Sequence, residues 1–415
     1  MTEQRLLILG SLGEFVKLVK EARSRGIYTV VCDGYADGPA KQYADKAYNI
    51  DVRRVDDIVA MCKEEKINGI MGTFSDLLFE QICKIADKAN LKWYVAPEMI
   101  PYYRDKSKAK ELLASLGVHV PKNKELSREF RDSELDGFTF PLVAKPVNGY
   151  GSKGIFVIHS IDELRRHFDD IVMRGTDENV QVEEYTLGRE YNLMCWVVDG
   201  KVYPLSIADR QKNPQKGENI PLLNRVAYPS RDIATVLQPA VDVLQKFVGF
   251  TKQKSGPVSM QFFYNDNGVE VCEIAGRMFG YEHELVTYCS GLDVEKMLID
   301  YVYDEASLKN TVLHHSPYFT RHYAGLYFVA ENGKKLADQS GAEQYCRMPY
   351  VAESILFYKP GEIIDNYGPK PYFARYYITA GTRGELDAIT DDMYKNIHAI
   401  DSDGKEIILR HTLEK

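Results

Sequence analysis

Over residues 5–100, short apolar runs alternate with stretches whose apolar positions recur every three to four residues. Residues 5–9 form an apolar strand pattern ending at Gly10. Residues 14–25 carry helical spacing that Gly26 can stop, and 28–32 make a second strand ending at Asp33. Helical spacing returns over 55–65, a strand over 69–72 and a helix over 77–89. Alternating β and α patterns with short connections predict a parallel, doubly wound sheet. Ligands of such sheets sit beyond the carboxyl ends of the strands, here near Gly10, Asp33 and Thr73.

Pro97 and Pro101 close this unit, and the pattern changes. Residues 105–116 are helical and stop at Gly117. The run Phe-Pro-Leu-Val-Ala-Lys-Pro over 140–146 carries Lys145 near its end. Asn-Gly-Tyr-Gly-Ser-Lys-Gly follows over 148–154, then an apolar run over 155–158. This reads as a hairpin whose turn is longer than a tight hairpin needs. Its glycines let backbone N–H groups approach an anion without a Cβ in the way, and Lys145 supplies a point charge. A polyphosphate under a hairpin lid and an ordinary surface hairpin both fit this segment taken alone.

Apolar alternation over 180–185 leads to a strand over 193–198. Asp199-Gly200 and Asn267-Gly268 between apolar runs mark two further hairpins. Residues 208–230, with their Asn, Pro, Lys and Gly, read as a long functional loop. Past 311, short strands over 324–330, 354–358 and 373–380 precede a helix over 384–397. The expected units are 1–100, 101–310 (dividing near 180) and 311–415.

Composition narrows the function classes. A chain of 415 residues has room for two to four structural units. A net charge of −8 disfavours general affinity for nucleic acid or anionic membranes. No uncharged apolar stretch is long enough for a membrane span. The chain enters a strand at once, so no leader is expected. Its seven cysteines are scattered with no C-x-x-C pair, which fits a reducing cytoplasm and disfavours zinc. Gly10-Ser11-Leu12-Gly13 lacks the G-x-G-x-x-G spacing, so a nicotinamide dinucleotide is disfavoured.

Taken in order, the segments from about 105 to 310 resemble the ATP-grasp superfamily. The flanking units extend the likeness to nearly the whole chain. The order and spacing are similar to those of biotin carboxylase, the halves of carbamoyl phosphate synthetase, D-alanine–D-alanine ligase and the amino-acid ligases. The resemblance implies a fold of mixed class, α/β and α+β. An N-terminal doubly wound parallel sheet precedes a two-lobed ATP-grasp fold and a mixed C-terminal lobe. It also implies ATP and Mg²⁺ (or Mn²⁺) between the lobes, with a carboxylate attacking the γ-phosphate. The resulting acyl phosphate is then displaced by an amine, with release of ADP and phosphate.

Residue by residue, the likeness makes Lys106 the first phosphate lysine, ahead of Lys108, and Lys145 the second. Ser152, Lys153 and Gly154 belong to the lid. Glu183, Glu184, Tyr185 and Thr186 form the adenine hinge, with the Glu184 carbonyl and the Thr186 N–H as its pairing groups. Glu190 accepts from the ribose hydroxyls. Gln261 and Glu273 stand where two carboxylates normally clamp the metal. Glu273-Ile274-Ala275-Gly276-Arg277 departs from the usual Glu-Ile-Asn-Pro-Arg, so Gln261 and Ala275 imply a weaker or fewer-ioned site. Arg277 is the catalytic candidate beside Lys145, gripping the acyl phosphate or the substrate carboxylate. Glu282 or His283 is a candidate general base, and Arg210 or Arg225 a candidate for holding a substrate carboxylate.

The expected activity is thus an ATP-dependent carboxylate–amine ligase. Its substrates would be an amino acid or small carboxylate and an amine, and a homodimer is compatible with it. A catalytically impaired ATP-binding protein of the same fold, and a purine-pathway or carboxylase-like enzyme, stand as alternatives.

Overall fold

The computed structural model describes every residue except 1–2, 73, 148–153, 176, 213–222, 367–369, 371 and 414–415. Its first unit is the expected parallel sheet, in spatial order Lys46–Tyr48, Tyr28–Cys32, Arg5–Leu9, Gly69–Met71. The helices Val16–Ser24, Val55–Glu64 and Asp76–Ala89 connect these strands. Central strands of such a sheet are buried on both faces, and Leu6, Leu7, Ile8 and Leu9 are fully buried. Ser75 caps the third helix, its hydroxyl accepting from Leu78 N. That cap aims the first turn, with Asp76, toward the rest of the molecule. A short helix, Ile100–Arg104, precedes Lys106–Ser115, with Pro101 inside its first turn.

A small antiparallel sheet follows, in order Asn123–Leu126, Val180–Glu184, Leu142–Pro146, Phe156–Ile158. The Lys145 hairpin forms as expected, with Leu142 opposite Ile158 and Ala144 opposite Phe156. The helix Ile161–Val172 covers this sheet, and Leu164, Phe168 and Ile171 join Leu142, Ala144, Val180 and Val182 in a core of their own. The strand Val180–Glu184 belongs to this small sheet, so the chain passes to the next sheet at 185–188, not near 180. Gly188 lies on that passage with φ +136, and a Cβ there would stand 2.8 Å from the Tyr264 carbonyl oxygen. Only glycine fits such a crossing.

The third sheet has eight antiparallel strands. Its order is Gly268–Ala275, Ser255–Asn265, Arg189–Val198, Lys201–Lys212, Leu223–Tyr228, His322–Phe328, Ala374–Ala380, Val351–Leu356. The last three strands come from beyond residue 311, so the C-terminal part continues the sheet instead of forming a separate one. The expected long loop over 208–230 is corrected at both ends: Lys201–Lys212 and Leu223–Tyr228 are paired strands, and 213–222 lie outside the described residues. One apolar core joins the N-terminal sheet to this large sheet, while the small sheet keeps its own. Among the described residues, no helix is long and apolar enough to cross a membrane.

Candidate functional site

A cavity of about 340 Å³ opens where the N-terminal unit, the helix Lys106–Ser115, the large sheet and Tyr372 of the C-terminal part meet. Strand register builds its floor. Glu190 lies opposite Arg210, Asn192 opposite Gln261, and Gln261 opposite Glu273. Side chains alternate faces along a strand, so Glu190 and Asn192 share one face. The result is a polar row crossing four strands, in which Arg210, Asn192, Gln261 and Glu273 line the cavity and Glu190 lines a neighbouring pocket that shares Arg210.

Glu190 is the hub of that row. Its Oε1 accepts from Arg210 Nη1 and from Gln261 Nε2, and its Oε2 pairs with Lys212 Nζ. Burial raises the Glu190 carboxyl, but Arg210 and Lys212 outweigh burial and hold it below its ordinary value. Arg210 is therefore bound to Glu190 and is not an open carboxylate receptor. Arg225 lies away from the cavity, fully buried, with Nη1 2.7 Å from Asp387 Oδ1 and 3.2 Å from Gln211 Oε1. The reading of Arg225 as a substrate ligand is corrected: it ties the sheet to the C-terminal helix Arg383–Asn396.

Glu273 and Arg277 line the same cavity. Arg277 makes a two-pronged contact with Asp76, Nε–Oδ1 2.6 Å and Nη2–Oδ2 2.7 Å, and its Nη2 stands 3.6 Å from Glu273 Oε1. Burial raises the Asp76 carboxyl, yet the Arg277 charge and hydrogen bonds more than reverse this. The planar fork suits a carboxylate or phosphate held in two-point fashion, and here Asp76 occupies it. Ala275 is buried and offers no donor to the cavity. Among the described residues no group of three His, Cys, Asp or Glu is placed to hold a metal ion.

Glu282 and His283 divide. Glu282 lines the cavity and accepts from Asn192 Nδ2 at 2.6 Å and from Tyr228 OH at 2.5 Å, and burial pushes its carboxyl up. His283 is fully buried, stacked on Phe74 with ring centroids 4.2 Å apart, its Nε2 3.2 Å from Glu295 Oε1. Burial lowers the imidazole, but Glu284 and Glu295 together raise it to about 9. An imidazolium locked into a buried pair is no general base, so that reading of His283 is corrected. Lys17 reaches the same Glu295 at 2.6 Å, which makes the cluster a joint between the first helix and the large unit.

The wall facing the floor is cationic. Lys106 and Lys110, one helical turn apart, line the cavity from Lys106–Ser115. Lys145 is buried on its strand, with Nζ 2.5 Å from Glu183 Oε1, and Lys110 Nζ meets the other oxygen of Glu183. Glu183 therefore faces these lysines rather than simply closing the hinge side. The Glu184 backbone N–H donates to the Lys122 carbonyl at 2.9 Å, and that of Tyr185 to the Pro141 carbonyl at 3.2 Å. The Glu184 side chain accepts from Thr139 N at 2.9 Å, and Glu183 and Glu184 end an inner strand of the small sheet, with 185–186 leading off it. Gly154 is the start of the returning arm, and Ser152 and Lys153 lie outside the described residues.

Sequence reasoning missed Lys110, Glu14, Phe74 and Asp76. Lys110 was legible as Lys106 plus four. Glu14 follows the first strand's carboxyl end, and Phe74 and Asp76 follow the fourth, where ligands of such sheets sit. Burial pushes the Glu14 carboxyl up to about 7, against the opposing charge of His283. Gly280 has a packing reason as well: a Cβ there would stand 2.6 Å from Glu14 Oε2 and 3.0 Å from the Phe74 carbonyl oxygen.

A profile of the ATP-grasp domain family matches residues 103–281. Over that span the chain is similar to the ATP-grasp domain family. The matched span runs from the short helix before Lys106 through Arg277 to Tyr281, the stretch that supplies most of the cavity. Multifunctional protein ura1 of Schizosaccharomyces pombe is 26% identical over 309 residues, 71% of this chain and 13% of that protein. The carbamoyl phosphate synthase large chain of Clostridium beijerinckii is 21% identical over 269 residues, 63% of this chain and 24% of that one. The chain thus spans a quarter or less of those two relatives. The crystal structure of L-amino acid ligase from Bacillus licheniformis superposes with a TM-score of 0.81 at 17% identity, covering 96% of this chain and 99% of that one. At that identity the likeness shows the shared fold. It extends past the ATP-grasp domain to the N-terminal parallel sheet and the C-terminal strands.

Proposed function

We propose that this protein is an ADP-forming carboxylate–amine ligase, acting on an amino acid or small carboxylate through an acyl phosphate. The observation that carries the reading is the mixed lining of the cavity. Lys106 and Lys110 line it, and Lys145 joins Lys110 through the shared carboxylate of Glu183. Glu14, Phe74, Tyr281 and Tyr372 line it as well, acidic and aromatic. A polyphosphate belongs against the lysines, and a small substrate with an amino group against the acidic and aromatic residues.

Each residue then has a task derived from its place. Lys106 and Lys145 hold phosphate oxygens, and the hinge 183–186 presents backbone groups to adenine. Glu190 exchanges part of its contact with Arg210 and Lys212 for the ribose hydroxyls. Arg277, placed between Glu273 and Asp76, stabilises charge developing on the transferred phosphoryl group. Mg²⁺, when bound with the nucleotide, would neutralise phosphate charge. Glu273 is the carboxylate placed to hold it, and the Gln261 side-chain carbonyl is the remaining donor, since its amide nitrogen is committed to Glu190.

The test is phosphate release from Mg-ATP across pairwise mixtures of amino acids and small carboxylates, with oxygen-18 in the carboxylate. Label in the released phosphate together with ADP supports the reading, and AMP as product overturns it. The pairing of Gln261 with Glu190 favours one second reading, an ATP-binding protein impaired in catalysis. Saturable ATP binding with no turnover across the panel would select it.

A further inference from the structure

Lysine is rarely buried, and burying an ammonium group is costly unless it is paired. Here two buried lysines share one carboxylate. Lys145 Nζ is 2.5 Å from Glu183 Oε1, and Lys110 Nζ contacts Glu183 Oε2. Only 5% of Lys110 and 6% of Lys145 is exposed, and Lys106 lines the same cavity one turn away. Lys110 and Lys145 thus divide the one carboxylate of Glu183 between them, while Lys106 faces Glu273 and Asp76. Burial lowers Lys110 to about 8. Burial, then the neighbouring Lys110 and Lys106, pushes Lys145 well below the usual lysine value. A purely structural role explains this poorly. The helix Lys106–Ser115 already packs through Leu112 and Leu113, and an apolar side chain at position 110 would be accommodated at lower cost.

We propose that Lys110 is a third phosphate-binding lysine, and that Glu183 is the stand-in anion that holds Lys110 and Lys145 until the β- and γ-phosphates replace it. The inference rests on the nucleotide reading above and adds to it the residue pair that governs phosphate loading. In the nucleotide-free site Glu183 keeps two ammonium groups from repelling each other. A polyphosphate brings several charge-accepting oxygens to the same wall and satisfies all three lysines.

The experiment compares Mg-ATP, Mg-ADP and AMP binding by calorimetry and thermal shift for the wild type, Lys110→Met and Glu183→Gln. Lys110→Met is expected to weaken Mg-ATP and Mg-ADP by tenfold or more while changing AMP less than twofold. Glu183→Gln is expected to lower the melting temperature of the free protein, yet to show a larger stabilisation by Mg-ATP than the wild type. Lys110→Met binding Mg-ATP as tightly as the wild type, or losing AMP equally, would overturn the assignment. A Glu183→Gln protein with an unchanged or smaller Mg-ATP shift would overturn the stand-in role, and it remains measurable if Lys110→Met does not fold. Absence of any Mg-ATP effect on the wild type would overturn the nucleotide reading together with this one. Normal wild-type binding with insensitive variants would overturn this inference alone.

Discussion

Asp76→Asn isolates the contact between the N-terminal unit and the ATP-grasp domain. Asp76 holds Arg277 by two hydrogen-bonded prongs of 2.6 and 2.7 Å, with 16% and 12% of the side chains exposed. Removing one member of a buried ion pair costs about 3–5 kcal/mol, because the other is left as an uncompensated buried charge. Glu273, 3.6 Å from Arg277 Nη2, softens this loss, so the lower end of about 3 kcal/mol is expected. Unfolding entropy of about 2 cal/mol/K per residue means that a 415-residue chain melting as one unit loses about 1 °C per kcal/mol. Asp76→Asn should therefore lower the melting temperature by about 3 °C. Asp76→Leu combined with Arg277→Met replaces the pair by apolar groups and should recover most of that, with a coupling energy of at least about 1.5 kcal/mol in a double-mutant cycle. Calorimetric scans of wild type, Asp76→Asn, Asp76→Leu, Arg277→Met and the double variant decide it. A melting temperature for Asp76→Asn within about 1 °C of wild type, or strictly additive losses in the double variant, would refute the reasoning.

Three further outcomes are expected. Glu190→Gln should abolish discrimination between ATP and 2′,3′-dideoxy-ATP in competition titrations and cost about tenfold in ATP affinity, since hydrogen bonds to a charged group are worth about 1.5–3 kcal/mol. The imidazolium of His283, raised from 6.5 to about 9, contributes stability that is fully present below pH 6.5 and is lost as pH rises through about 9. Denaturant titrations should therefore show the stability advantage of wild type over His283→Gln, about 3 kcal/mol when fully developed, shrinking between about pH 6 and pH 9.5. Gln261→Glu sets a second carboxylate against Glu190 in place of the amide that now donates to it. Its melting temperature should fall below wild type by more at pH 8 than at pH 5, and an equal deficit at both would count against the contact.

Period and composition decided a good deal by themselves. The parallel N-terminal sheet was legible because its alternation of buried strands and amphipathic helices has few other physical solutions. The lysine hairpin was legible because a glycine-rich turn between apolar runs has one local reading. Lys145 stood out from its own hairpin, whereas Lys106, Gln261, Glu273 and Arg277 stood out only through the resemblance to the ATP-grasp pattern.

What period cannot carry is which faces meet. Lys110 looked like one more charge on a helix, and only the approach of the small sheet brings Glu183 and Lys145 against it. Arg277 carried no sign in the sequence that Asp76, 201 positions away, would occupy its fork. His283 next to Glu282 suggested a base, but the helix His283–Ser290 turns the ring into Phe74 and Glu295. The strands at the two ends of 208–230 were hidden because polar residues such as Asp209 and Arg225 find their partners, Arg383 and Asp387, only on the C-terminal helix. Local pattern selects elements through backbone geometry and burial. Partners far apart in sequence are selected by packing, and packing is a property of the whole fold.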